Sequence, residues 1–203
     1  MSKGLETRQL ILDRGTELAS KVGLRGVSIG GLAESLGLSK SGLFAHFKSK
    51  DALDAALITH TGALFVDRVV RPALREPRGE PRLRDLFRRT LDWPTRSGLP
   101  GGCPMIAAAA ELDDCPGAAR DALVAQQNDW LDTLANMARA AQREGHFSGA
   151  LAPEQFAYEV YAIQLMQHLS ARLLRDPLAD ERALAAFEAL VLRAKAKRLR
   201  ADR

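Results

Sequence analysis

The chain has 203 residues, of which 46% are apolar and 27% charged, with a formal net charge of +4. That is an ordinary globular composition with material for one good core or two smaller ones, and a charge too small by itself to imply a polyanionic partner. No apolar run approaches the roughly 18 residues of a membrane helix, MSKGLETRQ lacks the core of a signal peptide, and two cysteines, Cys103 and Cys115, do not make a disulfide scaffold, so a cytoplasmic protein is expected.

The first helix is expected from Thr7, a cap, to Val22. Ile11, Gly15, Leu18 and Val22 form its buried stripe, and Gly15 marks close approach to a neighbouring helix. Gly23 supplies the left-handed residue that ends it.

Ser28 to Lys50, SIGGLAESLGLSKSGLFAHFKSK, reads as two short helices and a tight turn. Ser28 caps the first, whose apolar face is Ile29, Leu32, Ala33 and Leu36. Gly37 stops it, and Ser39 caps the next. Leu43 and Phe47 sit four apart on one side of that second helix, with Lys40, Ser41, Ala45 and Lys48 on the other. Apolar inside and basic outside, this is the pattern of a helix-turn-helix that places its second helix in a DNA major groove.

The segment from Thr7 to Leu57 resembles the DNA-binding region of TetR-type bacterial transcriptional repressors. The matching positions are Ile11-Leu12, Gly23, Ser28, Leu32-Ala33, Gly37-Leu38-Ser39, Leu43-Phe44, His46-Phe47 and Lys50. The resemblance implies an all-α protein of about nine helices. A three-helix head over residues 1–49 would bind DNA, and a larger helical domain over 50–203 would dimerise and bind an inducer. The residues placed against an operator are Ser28, Ser39, Lys40, Ser41, Gly42, Phe44, His46, Lys48 and Lys50. Two features depart from the family pattern. Gly30 and Gly31 offer no side chain to DNA, and Phe44 stands where a Tyr hydroxyl could reach a phosphate. Small residues at the helix start make base reading modest and affinity largely electrostatic. Lys50 opposes the dipole of its own helix, a placement that makes sense beside a phosphate.

The fourth helix is expected from Lys50 to Val70, before Pro72 and the run from Glu76 to Pro81. A fifth covers Arg82 to Trp93, and a sixth opens at Pro104 and ends at Leu112. The seventh runs from Ala118 to Glu144, the eighth from Pro153 to Arg175, and the ninth from Asp180 to Leu199. The glycine-rich loop Leu99 to Pro104 lacks the ending of a phosphate loop. His46, His60, His146 and His168 are scattered, with no metal spacing and no nucleophile elbow, so neither an enzyme nor a cofactor is expected.

The last two helices are apolar on more than one face and need partners on more than one side. The resemblance makes that partner a second copy, with Phe156, Val160, Ile163, Leu184, Phe187, Leu190, Val191 and Ala194 at the seam. The basic end, Lys195 to Arg203, completes the dipole of the ninth helix. The candidate inducer walls are His60, Leu64, Phe87, Leu91, Met105, Ile106, Trp130, Leu134, Tyr161, Gln164, Leu165 and His168. Ala107 to Ala110 remove volume beside them, and the aromatic and thioether groups suit a small apolar or aromatic inducer. An ordinary packed core is the alternative for the same residues. A second sensing mode is open as well: Cys103, after Gly101-Gly102 and before a helix N-terminus, could carry a reactive thiolate. A helical interaction protein without DNA binding is the remaining reading. Gly30, Gly31 and Phe44 would suit it, while Ser39, Lys40, Lys48 and Lys50 oppose it.

Overall fold

The computed structural model describes residues 3–195. Among them the order is α1 (Lys3–Gly26), α2 (Ile29–Ser35), α3 (Lys40–Phe47) and α4 (Lys50–Phe65), then α5 (Glu80–Arg96), α6 (Pro104–Leu112), α7 (Ala118–Arg143), α8 (Pro153–Arg172) and α9 (Ala179–Ala194). A π-helical turn, Val66–Val70, and a last short turn, Arg71–Ala73, continue α4. Among the described residues the structure is all-α, as expected, and no helix is long and apolar enough to cross a membrane.

The chain packs as two units, which do not follow a division at residue 50. One comprises residues 1–68 and 93–127, the other 69–92 and 128–203. In the first unit the core gathers Ile11, Leu32, Leu43, Leu53 and Leu57 from four successive helices, with Ala108 and Leu123 from α6 and α7. Gly15 makes this approach possible, because a Cβ there would lie 2.6 Å from Leu57 Cδ2. Two carboxylates fasten the same unit. Asp51 of α4 accepts from the N–H groups of Ala118 and Ala119, at 2.9 and 3.0 Å, and so caps α7. Glu111 of α6 accepts from the Arg25 N–H at 2.9 Å. It occupies space that Gly23 leaves open, since a Cβ at Gly23 would lie 1.8 Å from Glu111 Oε1.

In the second unit Phe87 of α5 stacks on Phe187 of α9, with ring centroids 4.0 Å apart. Phe147 and Phe156 meet at 5.3 Å. Arg84 pairs with Glu80 and Glu188, and Lys195 with Glu80. Burial alone would raise the Glu80 carboxyl, but Arg84 and Lys195 overcome it and hold the group below its ordinary range.

Several boundaries differ from those the sequence suggests. The first helix begins by Lys3, so Thr7 lies inside it and is not a cap. Glu6 in the first turn favours that early start. Gly23, with φ 73° and ψ 171°, breaks the helix as expected, and a separate short turn follows it to Gly26. The fifth helix opens at Glu80, where Pro81 fits a first turn, and passes through Pro94 to Arg96. The eighth stops at Arg172, short of Arg175, which has φ 54°. The ninth ends at Ala194, where Lys195 turns into extended backbone. The expected stretch from residue 196 to Leu199 and the rest of the basic end lie outside the described residues.

The larger correction concerns the expected dimer seam. Phe156, Val160, Phe187, Leu190, Val191 and Ala194 are all buried within the protomer, and Ile163 and Leu184 are partly so. A helix apolar on several faces commits one of them to its own core, and periodicity alone does not say which. The apolar side chains left outside on α8 and α9 are others, among them Tyr158, Met166, Leu169 and Leu192.

Candidate functional site

The head is built so that α3 shows its polar side outward. Leu43 and Phe47 are buried in the core. Their burial turns Lys40, Ser41, Gly42, Phe44, Ala45 and Lys48 to the surface, with Phe44 51% exposed. Both cap residues act as expected. Ser28 Oγ accepts from the Gly31 N–H and Ser39 Oγ from the Gly42 N–H, each at 3.0 Å. The Ser41 hydroxyl lies 3.2 Å from that of Ser39. The start of α3 therefore presents clustered hydroxyls and a cation, chemistry suited to phosphate oxygens.

Gly30 has a steric role on this surface. A Cβ there would lie 2.8 Å from Lys40 Cε, so the lysine stem crosses α2 where the glycine leaves room. Lys48 closes α3 with φ 61° and donates its N–H to the Phe44 carbonyl at 2.7 Å. A non-glycine residue held at positive φ costs on the order of 1–3 kcal/mol and is tolerated where surroundings or function require it. His46 is half-buried against Phe47, with centroids 6.2 Å apart.

Lys50 sits apart from the outward cations. Its ammonium pairs with Asp54 and donates to the Leu24 carbonyl at 2.8 Å. Burial raises the Asp54 carboxyl, and Lys50 opposes that rise. The lysine thus ties the start of α4 to the end of α1. Arg8, which helical periodicity does not single out, places its guanidinium 5.1 Å from the centre of the Phe47 ring, beside the end of α3.

The candidate inducer walls divide between the units. His60, Leu64, Met105 and Ile106 belong to the first, and the other eight to the second. His60 Nε2 lies 2.8 Å from Asp13 Oδ1. Phe87 and Leu134 are fully buried core residues. Trp130 donates its indole N–H to Gln164 Oε1 at 3.0 Å, and Gln164 Nε2 lies 3.1 Å from Thr90 Oγ1. Thr90 in turn donates to the Phe87 carbonyl at 2.6 Å. This polar chain fixes the buried Gln164 amide against Trp130 and Thr90. Leu91, Tyr161 and His168 are half-buried, and Leu165 is exposed. Burial holds the His168 imidazole below its ordinary value, and Arg172 adds to the effect. His168 Nε2 has no hydrogen-bond partner among the described residues.

Cys103 stands at the N-cap of α6, as the sequence suggests, but it is buried. Burial pushes its thiol up, against the backbone N–H groups of Ile106 and Met105 and the Trp93 indole, whose Nε1 makes no hydrogen bond of ordinary geometry among the described residues. The Cys115 sulfur, by contrast, is partly exposed and receives Arg25 Nη2 at 3.1 Å. Iodoacetamide at neutral pH is expected to label Cys115 well before Cys103 in the folded protein. Peptide mass mapping over time checks this, and faster labelling of Cys103 would restore it as the exposed nucleophile.

The sequence profile of the family described as "Bacterial regulatory proteins, tetR family" matches residues 11–57. That described as "Tetracyclin repressor-like, C-terminal domain" matches residues 79–187. The HTH-type transcriptional repressor NemR of Escherichia coli (strain K12) is 27% identical over 187 residues, 89% of this chain and 91% of that protein. Among solved structures, a TetR-family regulator from Cytophaga hutchinsonii superposes with a TM-score of 0.86 at 18% identity, covering 98% of this chain and 99% of that one. A TetR regulator from Chloroflexus aurantiacus gives 0.83 at 22% identity, covering 95% of this chain and 96% of that one.

Proposed function

The chain belongs to the TetR family of bacterial transcription regulators, and from that premise we propose how its own residues would do the work. It is a ligand-responsive repressor rather than an enzyme. The observation that carries the DNA reading is the outward side of α3, where Lys40, Ser41 and Lys48 face solvent around a capped helix start. In this reading α3 enters a major groove, with Ser28, Ser39 and Ser41 on phosphates and Phe44 against the duplex. Lys40 and Lys48 supply most of the electrostatic attraction. Lys50, held by Asp54 and Leu24, positions the head.

Two copies would pair through the outer faces of α8 and α9. Between these helices runs an open groove of about 360 Å³, lined by Ala162, Ile163, Met166, Ala179, Ala183 and Ala186 among others. Its small residues would let a facing helix approach closely, and a two-fold axis would set the same surface of each copy against the other. The operator is then two-fold, with half-site centres about 34–36 Å apart or a multiple of that.

The inducer is a small apolar or aromatic molecule, met in the second unit by Leu91, Trp130, Tyr161 and His168 with Gln164 as the fixed polar group. It releases DNA only by preferring one state of the dimer. A tenfold loss of operator affinity needs about 1.4 kcal/mol of preference.

Operator selection from random DNA, followed by anisotropy titrations over a salt series, tests the DNA role. Replacing Lys40 and Lys48 together by Ala is expected to weaken binding to all sequences alike. It should also flatten the salt slope by about two units, one for each lysine. Unchanged affinity and slope in a folded double variant would remove α3 from the phosphate backbone.

A further inference from the structure

We propose that the second unit carries a separate binding site for a small organic carboxylate with an apolar tail, in the groove between the tail of α4, the start of α5 and the later part of α7. The groove is open and has a volume of about 360 Å³, within the range of small-molecule sites. None of the candidate inducer residues lines it.

Its chemistry is one-sided. Arg78, Arg82 and Arg143 line it, and no carboxylate does. Arg78 and Arg143 have no hydrogen bond or ion pair with any described residue. Arg82 spends Nε and Nη2 on the Glu76 carbonyl, at 3.1 and 2.8 Å, which fixes its guanidinium at the rim. Asn136 adds amide donors, because its Oδ1 already accepts from Arg139 Nη1 at 2.9 Å. The neighbouring surface groove is different. There Arg84 and Arg88 stand among Glu76, Glu80 and Asp85, and Arg84 is paired. Compensation is thus present beside the site and missing within it.

Arginine presents a planar fork that matches a carboxylate in two parallel hydrogen bonds. The floor is apolar: Val70, Leu74, Met137 and Ala140 line it between the arginines. Met137 adapts its shape to an irregular aliphatic or aromatic chain. A head that is only anionic would leave this floor wet, and a neutral chain would leave the arginines unused. An amphiphilic carboxylate answers both. Val70 also closes the π-helical turn that continues α4. Such wide turns recur at functional positions.

Decanoate is the probe, titrated into the full-length protein without DNA, so that the outcome does not depend on the operator reading. Calorimetry is run beside methyl NMR of the Met137 side chain. Decanoate is expected to bind and to move the Met137 methyl signal, with decanol at least tenfold weaker and decylamine showing no heat. Replacing Arg78 and Arg143 together by Ala should weaken decanoate at least tenfold and leave the circular dichroism spectrum unchanged, since neither side chain holds anything in the fold. Arg143→Glu alone should do the same if the double variant misfolds. Decanol binding as tightly as decanoate overturns the proposal. So does decanoate binding that leaves Met137 unmoved, or that survives either folded variant.

Discussion

Gly101→Ala is expected to destabilise the protein by more than the roughly 1–3 kcal/mol of ordinary overpacking. The new Cβ would lie 1.4 Å from the Ser20 carbonyl oxygen and 1.9 Å from its carbon. Both are backbone atoms of α1, in the turn before Gly23, which no rotamer change can move. The loop before α6 would have to leave α1, losing the bond from the Gly101 N–H to Ser20 Oγ at 3.2 Å. Total stabilities of domains are about 5–15 kcal/mol, so this one methyl group removes a large share. Gly98 is the control. It has φ 65° but nothing within 4 Å of its Cβ position, so Gly98→Ala costs only left-handed strain of about 1–2 kcal/mol. Urea midpoints of the two variants give the comparison. A Gly101→Ala protein as stable as Gly98→Ala would mean that the loop is not seated on α1.

The second large effect separates core from seam on the last two helices. Leu190 is 4% exposed, so Leu190→Asp buries an unpaired carboxylate, at a cost of several kcal/mol. The expected outcome is an unfolded or aggregated protein, not a monomer. Met166 is 53% exposed and lines the groove between α8 and α9. Met166→Asp should leave the protomer folded and prevent pairing, with loss of operator binding. Light scattering and circular dichroism distinguish the two variants. A folded, dimeric Met166→Asp protein places the pairing surface elsewhere, and a folded Leu190→Asp protein takes Leu190 out of the core.

The head was legible in the sequence because its signals are local. Ser28 and Ser39 lie three residues before the N–H groups they cap, and Leu43 and Phe47 are one helical turn apart. Gly15 could be read as a close approach from its place in an apolar stripe, though not that Leu57 fills it. What stayed hidden has a long sequence separation. Asp51 caps a helix 67 residues later, and Glu111 reaches back 86 residues to Arg25. No spacing rule within a helix reveals either partner. Which side of the last two helices is buried stayed hidden for a different reason. Phe156 and Met166 are both apolar residues of α8, and only the three-dimensional packing decides that the first is inside and the second outside. Lys50 shows the same limit for charge, since its approach to Asp54 lies within helical spacing but the Leu24 carbonyl does not.

The division of the first unit between residues 1–68 and 93–127 has a consequence for how the protein is made. A chain emerging from the ribosome delivers the whole helix-turn-helix long before the parts that complete its core. Leu57 and Ile58 must wait for Ala108 and Leu123, and Asp51 for the helix it caps. At bacterial elongation rates of roughly 5–20 residues per second, the 59 residues from 68 to 127 take about 3–12 s. Throughout that interval the nascent head exposes an apolar face with no mate. Newly made repressor is therefore open to chaperones or proteases during synthesis, and it becomes competent for the operator only late in its own translation.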